Sequence, residues 1–377
     1  MTQNKQDAVS RRHFLRGAGA GAVVAAAGLA LPSLLHPARA GTRQAVPRQV
    51  APQPGTDELR FIQPRPVHQE LWGRITATTA VRARPGLNQE LLAWLAPETV
   101  LPLLETLDAE GSNPHNRLWY RVDAGYIYTS TVQPMRPYRM PETATEIATL
   151  IDEEPGFWAE VIVPRTPART EPSGPPYRLE DESAVYFTYS SVHRVIGIEP
   201  DLDGNQWYKI FNDKPRQEPV YVLARHVQRI SEHDLAPIHP GANKRVEVDL
   251  SAQMITCYEG DVIVTQMLTS SGGEGFDTPR GDHAVVYKQP SRYMYSDPEN
   301  EAFSDPNFFD LPGVPFNIFF TTMGHAIHGT YWHGDYGRPR SHGCLNVTPE
   351  AARWLFRWLE PASPYGVSSS GSSSNPG

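Results

Sequence analysis

The stretch AIHGTYWHGDYGRPRSHGCLN, residues 326–346, holds three of the thirteen histidines and one of the two cysteines of a 377-residue chain. What flanks it sets the fold. Upstream, RVEVDLSAQMITCYEGDVIVTQML (245–268) alternates, with Val246, Val248 and Leu250 on one face, then Ile255 and Cys257, then Val262 and Val264. A period of two is the mark of half-buried strands. FNIFFTTMGHAIHG (316–329) continues the sheet. Downstream, TPEAARWLFRWLE (348–360) reads as a helix, with Thr348 as N-cap and Pro349 in the first turn. Ala352, Leu355, Phe356 and Leu359 supply its buried face. The segment is therefore a mainly antiparallel β domain with one late helix, and the quoted stretch joins the last strands.

Two chemistries compete for that stretch. His325, His328, His333, His342 and Cys344 offer enough ligands for a metal. However, His325 and His328 diverge if they lie on a strand, and the C-x-x-C and H-x-x-x-H spacings of zinc sites are absent. A thiol nucleophile fits better. It needs a base within hydrogen-bond reach and donors for an oxyanion. Gly343 allows a tight bend that turns its own N–H and that of Cys344 toward one point. Both His342 and His328 are candidates for the base, and the Gly329 carbonyl is a candidate to orient His328.

The rest of the chain bounds where this chemistry operates. Residues 1–40 read as a cleavable export signal: paired Arg11-Arg12, an apolar Gly/Ala-rich run, and Ala38-Arg39-Ala40 at the end. They carry five Lys/Arg against one Asp, so the formal net charge of −8 becomes about −12 beyond them. So acidic a chain is unsuited to nucleic acid, which requires clustered basic residues. Residues 41–66 read as a Pro/Gln-rich linker, and 362–377 as a disordered tail. Residues 141–154 suggest a short connecting helix within a connector spanning 138–155.

Between linker and C-terminal segment lies an internal repeat. RITATTAVRARPG (74–86) is echoed by EVIVPRTPARTEPS (160–173), and Trp119-Tyr120-Arg121 by Trp207-Tyr208-Lys209, 88 residues on. Alternating strands broken by Pro/Gly turns indicate small antiparallel barrels. Residues 67–137 and 156–232 resemble bacterial SH3-like domains, with Trp119 and Trp207 expected in their cores. In exported proteins that resemblance implies holding cell-wall peptidoglycan.

Residues 244–361 resemble the L,D-transpeptidase catalytic domain (YkuD type) in VDLSAQMITCYEG, the TPRG turn, AIHG and, above all, SHGCLN. The resemblance implies a β-sandwich with a C-terminal helix. It makes Cys344 the nucleophile, His328 the base and His342 a helper, with Gly343 and Gly329 completing the catalytic set. Ser341, Asn346 and Trp332 become substrate-side residues, and Arg340, a cation flanking the motif, is a candidate to attract the donor's terminal carboxylate. The implied reaction is acyl transfer on peptidoglycan stem peptides: D-alanine leaves, a thioester forms on Cys344, and an amine resolves it into a 3→3 cross-link. Resolution by water would make the protein an L,D-carboxypeptidase, and an inert wall-binding protein is a further alternative. No cofactor or metal is expected. A papain-like arrangement would place the cysteine before its histidine, and the Thr-Leu-x-Thr-Cys signature of a sortase is missing. Cys257 is expected to be a small buried hydrophobe, and residues 288–315 a long loop beside the site.

Overall fold

A computed structural model describes residues 71–113, 115–179, 182–214, 217–296 and 308–371. The expected export signal (1–40), the expected linker (41–66), residues 67–70 of the first segment expected to be SH3-like and the end of the tail lie outside these residues. The described chain is predominantly β. None of its helices is long and apolar enough to cross a membrane.

Residues 71–135 form a three-stranded and a five-stranded antiparallel sheet around Ile75, Val81, Leu103, Tyr120, Val122, Ile127 and Val132. Residues 157–229 form a second five-stranded antiparallel sheet and a two-stranded ribbon, packed on Phe157, Val195, Tyr208 and Val222. Trp119 and Trp207 are both buried. The segment between these units is not helical. Leu150–Ile151 pairs with Glu154–Pro155 through a turn in which Asp152 and Glu153 take positive φ. The Ala144 N–H is held by the Tyr208 hydroxyl. Burial of Ile151 in the C-terminal core overrides the local helical signal.

The third unit begins with β1 (Lys244–Asp249), β2 (Met254–Glu259) and β3 (Val262–Leu268), a three-stranded antiparallel sheet. Val246 pairs with Cys257 and Val248 with Ile255, so the predicted apolar face is real. Val262 departs from it: the register shifts between Cys257 and Tyr258, and Val262 lies exposed at the strand end. A second sheet holds β4 (Tyr287–Tyr295), β5 (Asp310–Phe319), β6 (Ala326–Gly329), β7 (Leu345–Val347) and β8 (Ser370–Gly371). Helix α1 (Pro349–Trp358) starts at the Thr348 cap, whose hydroxyl accepts the Ala351 N–H at 3.2 Å. Both sheets and α1 share one core of Ile255, Cys257, Phe316, Ile318, Leu345, Val347, Leu355 and Phe356. Lys288 is fully buried and donates its ammonium to the Phe356 and Leu359 carbonyls, the unpaired C-terminal acceptors of α1.

Two expectations change here. Residues 288–295 and 310–315 are not loop, because β4 and β5 occupy both ends of that range and pair antiparallel, while residues 297–307 lie outside the described residues. The tail is ordered well past 362. Tyr365 receives the Trp158 N–H groups, and Ser370 and Gly371 pair with Lys288 and Tyr287. Backbone pairing at an open sheet edge orders residues that composition alone marks as unstructured.

The first and third units meet at a buried arginine. Arg74 donates through Nε to Gln133 Oε1 (2.9 Å), through Nη1 to Glu98 Oε1 (2.7 Å) and through Nη2 to the Tyr331 carbonyl (2.6 Å). The Gly334 N–H donates to the Ser130 carbonyl at 3.0 Å. A Cβ at Gly334 would fall 2.7 Å from the Val132 carbonyl, so only glycine permits the approach. Replacing Arg74 with Met leaves Glu98 and the Tyr331 carbonyl without their donor in a buried seam. We expect Arg74→Met to lower the unfolding free energy by about 3 kcal/mol, measured by denaturant titration, where a surface substitution would move it by less than about 0.5.

Candidate active site

The site is assembled by one parallel pairing. Strands β6 and β7 run side by side with Ile327 opposite Leu345, His328 opposite Asn346 and Gly329 opposite Val347. Opposed residues of neighbouring strands share a face, and alternate residues of one strand do too. His328 and Asn346 therefore face the same way, with Cys344 immediately before β7. The sulfur accepts the Ala326 N–H and lies 3.7 Å from the Gly324 carbonyl. Gly329 has no room for a side chain: a Cβ there would meet Pro315 and Pro349 at 2.9 Å.

The SHGC turn is braced from several sides. The Ser341 hydroxyl accepts the Gly343 N–H at 3.1 Å and donates to the Cys344 carbonyl at 2.5 Å. Thr278 of the TPRG turn donates to the Gly343 carbonyl at 2.9 Å. Gly343 has φ +108°, and a Cβ there would lie 2.8 Å from the His325 ring, so glycine is required on both counts. His342 sits among aromatics, 4.3 Å from the Phe276 ring centroid and 5.1 Å from that of Phe309.

His328 is 2 % exposed. Its Nδ1 donates to the Gly329 carbonyl at 3.0 Å, and its Nε2 receives the Asn346 amide at 3.2 Å. Burial lowers its pKa to about 4, against the smaller opposing effect of the Gly329 carbonyl. Burial also pushes the Cys344 thiol up to about 11, since a thiolate is poorly solvated beside Tyr287, Phe319 and Ala326. Both shifts favour the uncharged forms, a neutral imidazole and a neutral thiol. Cys257 is fully buried, its pKa raised to about 12 by desolvation, and both cysteines are free.

Of the predicted residues, the structure brings Cys344, His328, Asn346, Gly329, Gly343 and Ser341 into one neighbourhood. The Trp332 ring is 5.9 Å from the His328 ring and half-buried. Arg340 instead binds Asp335 Oδ2 at 2.8 Å, together with Arg338. Among the described residues, no three His, Cys, Asp or Glu side chains gather as a metal-binding group. Sequence reasoning weighed His333 only as a metal ligand and passed over Asp335 as its partner. The signal was the run Trp332-His333-Gly334-Asp335, polar groups interleaved with a glycine that lets another backbone approach.

Residues 243–367 match the family model YkuD, described as the L,D-transpeptidase catalytic domain. That part of the chain is a YkuD-type L,D-transpeptidase catalytic domain, and with it come acyl transfer as the reaction class and peptidoglycan as the substrate class. A search of curated proteins found no match. Among solved structures, an L,D-transpeptidase from Mycobacterium smegmatis aligns over 61% of this chain and 99% of its own, at 19% identity and TM-score 0.31. An L,D-transpeptidase in complex with imipenem aligns over 60% and 97%, at 14% and 0.31. The catalytic domain of an E. faecium L,D-transpeptidase aligns over 34% and 98%, at 23% and 0.27. The assignment rests on the matched segment rather than on these superpositions.

The neutral resting pair has a measurable signature. Below pH 11 the thiolate fraction of Cys344 rises about tenfold per pH unit. Its alkylation by iodoacetamide in the free protein should climb through pH 7–9 without levelling off. A plateau reached by pH 7 would instead reveal a preformed thiolate–imidazolium pair.

Proposed function

We propose that the protein is an exported L,D-transpeptidase that builds 3→3 peptidoglycan cross-links through a thioacyl-enzyme on Cys344. The observation that carries this reading is the β6–β7 pairing, which sets the His328 imidazole and the Cys344 sulfur on one face of a matched catalytic segment. Because the thiol is held neutral, its proton leaves as the substrate carbonyl arrives. Sγ attacks the L-centre carbonyl of the third stem residue, and Nε2 of His328, exchanging its hydrogen bond from the Asn346 amide for one from the thiol, takes the thiol proton. When the tetrahedral adduct collapses, the C–N bond breaks and His328 returns that proton to the departing D-alanine amine. The acceptor amine then attacks the thioester, His328 takes its proton, and the sulfur leaves to be reprotonated.

Support for the base assignment comes from the Gly329 carbonyl, which keeps the His328 proton on Nδ1 and a lone pair on Nε2. His342, between Phe276 and Phe309, is read as packing the turn that presents the sulfur. The Arg338–Arg340–Asp335 cluster makes Arg340 a brace for the loop as well as a local positive charge. Export fits the basic and apolar N-terminal 40 residues.

Purified protein incubated with tetrapeptide-stem muropeptides should release D-alanine and yield cross-linked dimers by mass spectrometry. Cys344→Ala should abolish both products, and His328→Ala should reduce them by at least about a hundredfold. Imipenem, present in the structure of one relative, should add its mass to Cys344 only. D-alanine release without dimers would identify a carboxypeptidase, and equal release by Cys344→Ala would end the reading.

The first two units are proposed to hold the wall as SH3-like modules. Trp119 and Trp207 are spent in the cores, but Trp94 is 61% exposed, beside the exposed Leu91 and Leu92 on strand Leu91–Leu95. An aromatic ring presented to solvent suits a sugar face or a stem peptide. Trp94→Ala should weaken co-sedimentation with purified sacculi several-fold while leaving D-alanine release from soluble muropeptides unchanged. Unaltered co-sedimentation would exclude this face.

A further inference from the structure

Four hydrogen bonds connect the loop after β6 to the proposed base. The Asp335 N–H donates to His333 Nδ1 at 3.1 Å. His333 Nε2 meets Asn346 Oδ1 at 3.0 Å. Asn346 Nδ2 meets His328 Nε2 at 3.2 Å, and His328 Nδ1 meets the Gly329 carbonyl at 3.0 Å. His328, His333, Asp335 and Asn346 are each 2–3 % exposed.

The two ends of this chain have fixed polarity. A backbone N–H only donates and a backbone carbonyl only accepts. Starting from Asp335, His333 Nδ1 must accept, so the ring proton sits on Nε2 and is donated to Asn346. That makes the facing Asn346 atom its oxygen, and the amide NH2 points to His328. His328 therefore accepts at Nε2 and carries its proton on Nδ1. The same tautomer follows from the other end, where only a donor can face the Gly329 carbonyl. Every link agrees, and no member can reverse alone.

We propose that His333 is a positioning residue for acyl transfer: by fixing the Asn346 amide, it holds His328 in the tautomer whose Nε2 can take the thiol proton. If His333 is lost, the amide is free to turn over. Its oxygen then faces Nε2 and favours a proton there, leaving the Gly329 carbonyl alone to hold the tautomer. A base that already carries the proton on the nitrogen facing the nucleophile cannot accept another. Asp335 is itself locked. Its carboxylate binds Arg338 and Arg340, and its carbonyl accepts the Ser270 hydroxyl at 2.7 Å. The Asn346 backbone is held by Ser270 on both its N–H and its carbonyl, at 2.9 Å each. The two arginines thereby act on the base from a distance, through Asp335 and His333.

This inference rests on the reading of His328 as the base, and the test separates the two. Full-length protein with 15N-labelled histidine reports the His328 tautomer by long-range 1H–15N correlation, without reference to activity. The wild type should show the proton on Nδ1. His333→Phe removes both hydrogen bonds and should give a mixture of tautomers, with kcat for D-alanine release down about tenfold or more and KM within about twofold. His333→Gln places an amide N–H where Nε2 was and should recover most of the rate. A wild-type His328 protonated on Nε2 overturns the proposal, whatever the variants do. So does a folded His333→Phe, judged by an unchanged Tm, that keeps both tautomer and kcat, or a folded His333→Gln that is as slow as the Phe variant. A wild type that releases no D-alanine would instead sink the enzyme reading, and the NMR result would still decide the relay.

Discussion

Everything at the site depends on the parallel pairing of two very short strands, Ala326–Gly329 and Leu345–Val347. Residues 330–344 form the crossover between them and contain no helix. That crossover must close over its own residues and over neighbouring units. It does so by packing Tyr331, His333 and Asp335 inward as buried groups and by leaning on the first unit at Gly334. A shift of one residue in this register would turn Asn346 away from His328 and bring Leu345 into its place. The register is held from outside the sheet as well, by Ser270 on Asn346 and by Thr278 on Gly343.

Burial then sets the electrostatic character of the site. The apolar neighbours of Cys344 and the enclosure of His328 move both pKa values away from the charged forms, in opposite directions. Both shifts favour uncharged groups in the site. Its polar order comes from hydrogen bonds of defined direction rather than from ion pairs. The one charged cluster nearby, Asp335 with Arg338 and Arg340, is spent on holding a backbone amide in place.

The parts of this arrangement visible in the sequence are those with local causes. Alternation gave β1 and β2 their inward faces, Thr348-Pro349 started the helix, and SHGC marked the sulfur. What escaped depended on distant partners. Residues 141–154 carry helical composition, but Ile151 finds a core and Ala144 finds Tyr208, and those contacts decide. Residues 362–371 have little to bury, yet β4 offers them a free edge. Within the site, the proposed nucleophile and the histidine of AIHG could be named. The direction of hydrogen bonding between His333 and His328 could not, because it is set by a backbone N–H and a backbone carbonyl whose placement no residue type announces. The thiol's surroundings were equally hidden, since Tyr287 and Phe319 reach it only through the β4–β5 hairpin.

The seam at Arg74 and Gly334 has a geometric consequence. Three links bind the first unit to the crossover above the sulfur: a guanidinium on the Tyr331 carbonyl, a backbone bond to Ser130, and a glycine pressed against a strand. On the proposed reading of the first unit as a wall-holding module, the polymer it holds would be presented at a set span from Cys344, the outer unit working as a ruler rather than a tether.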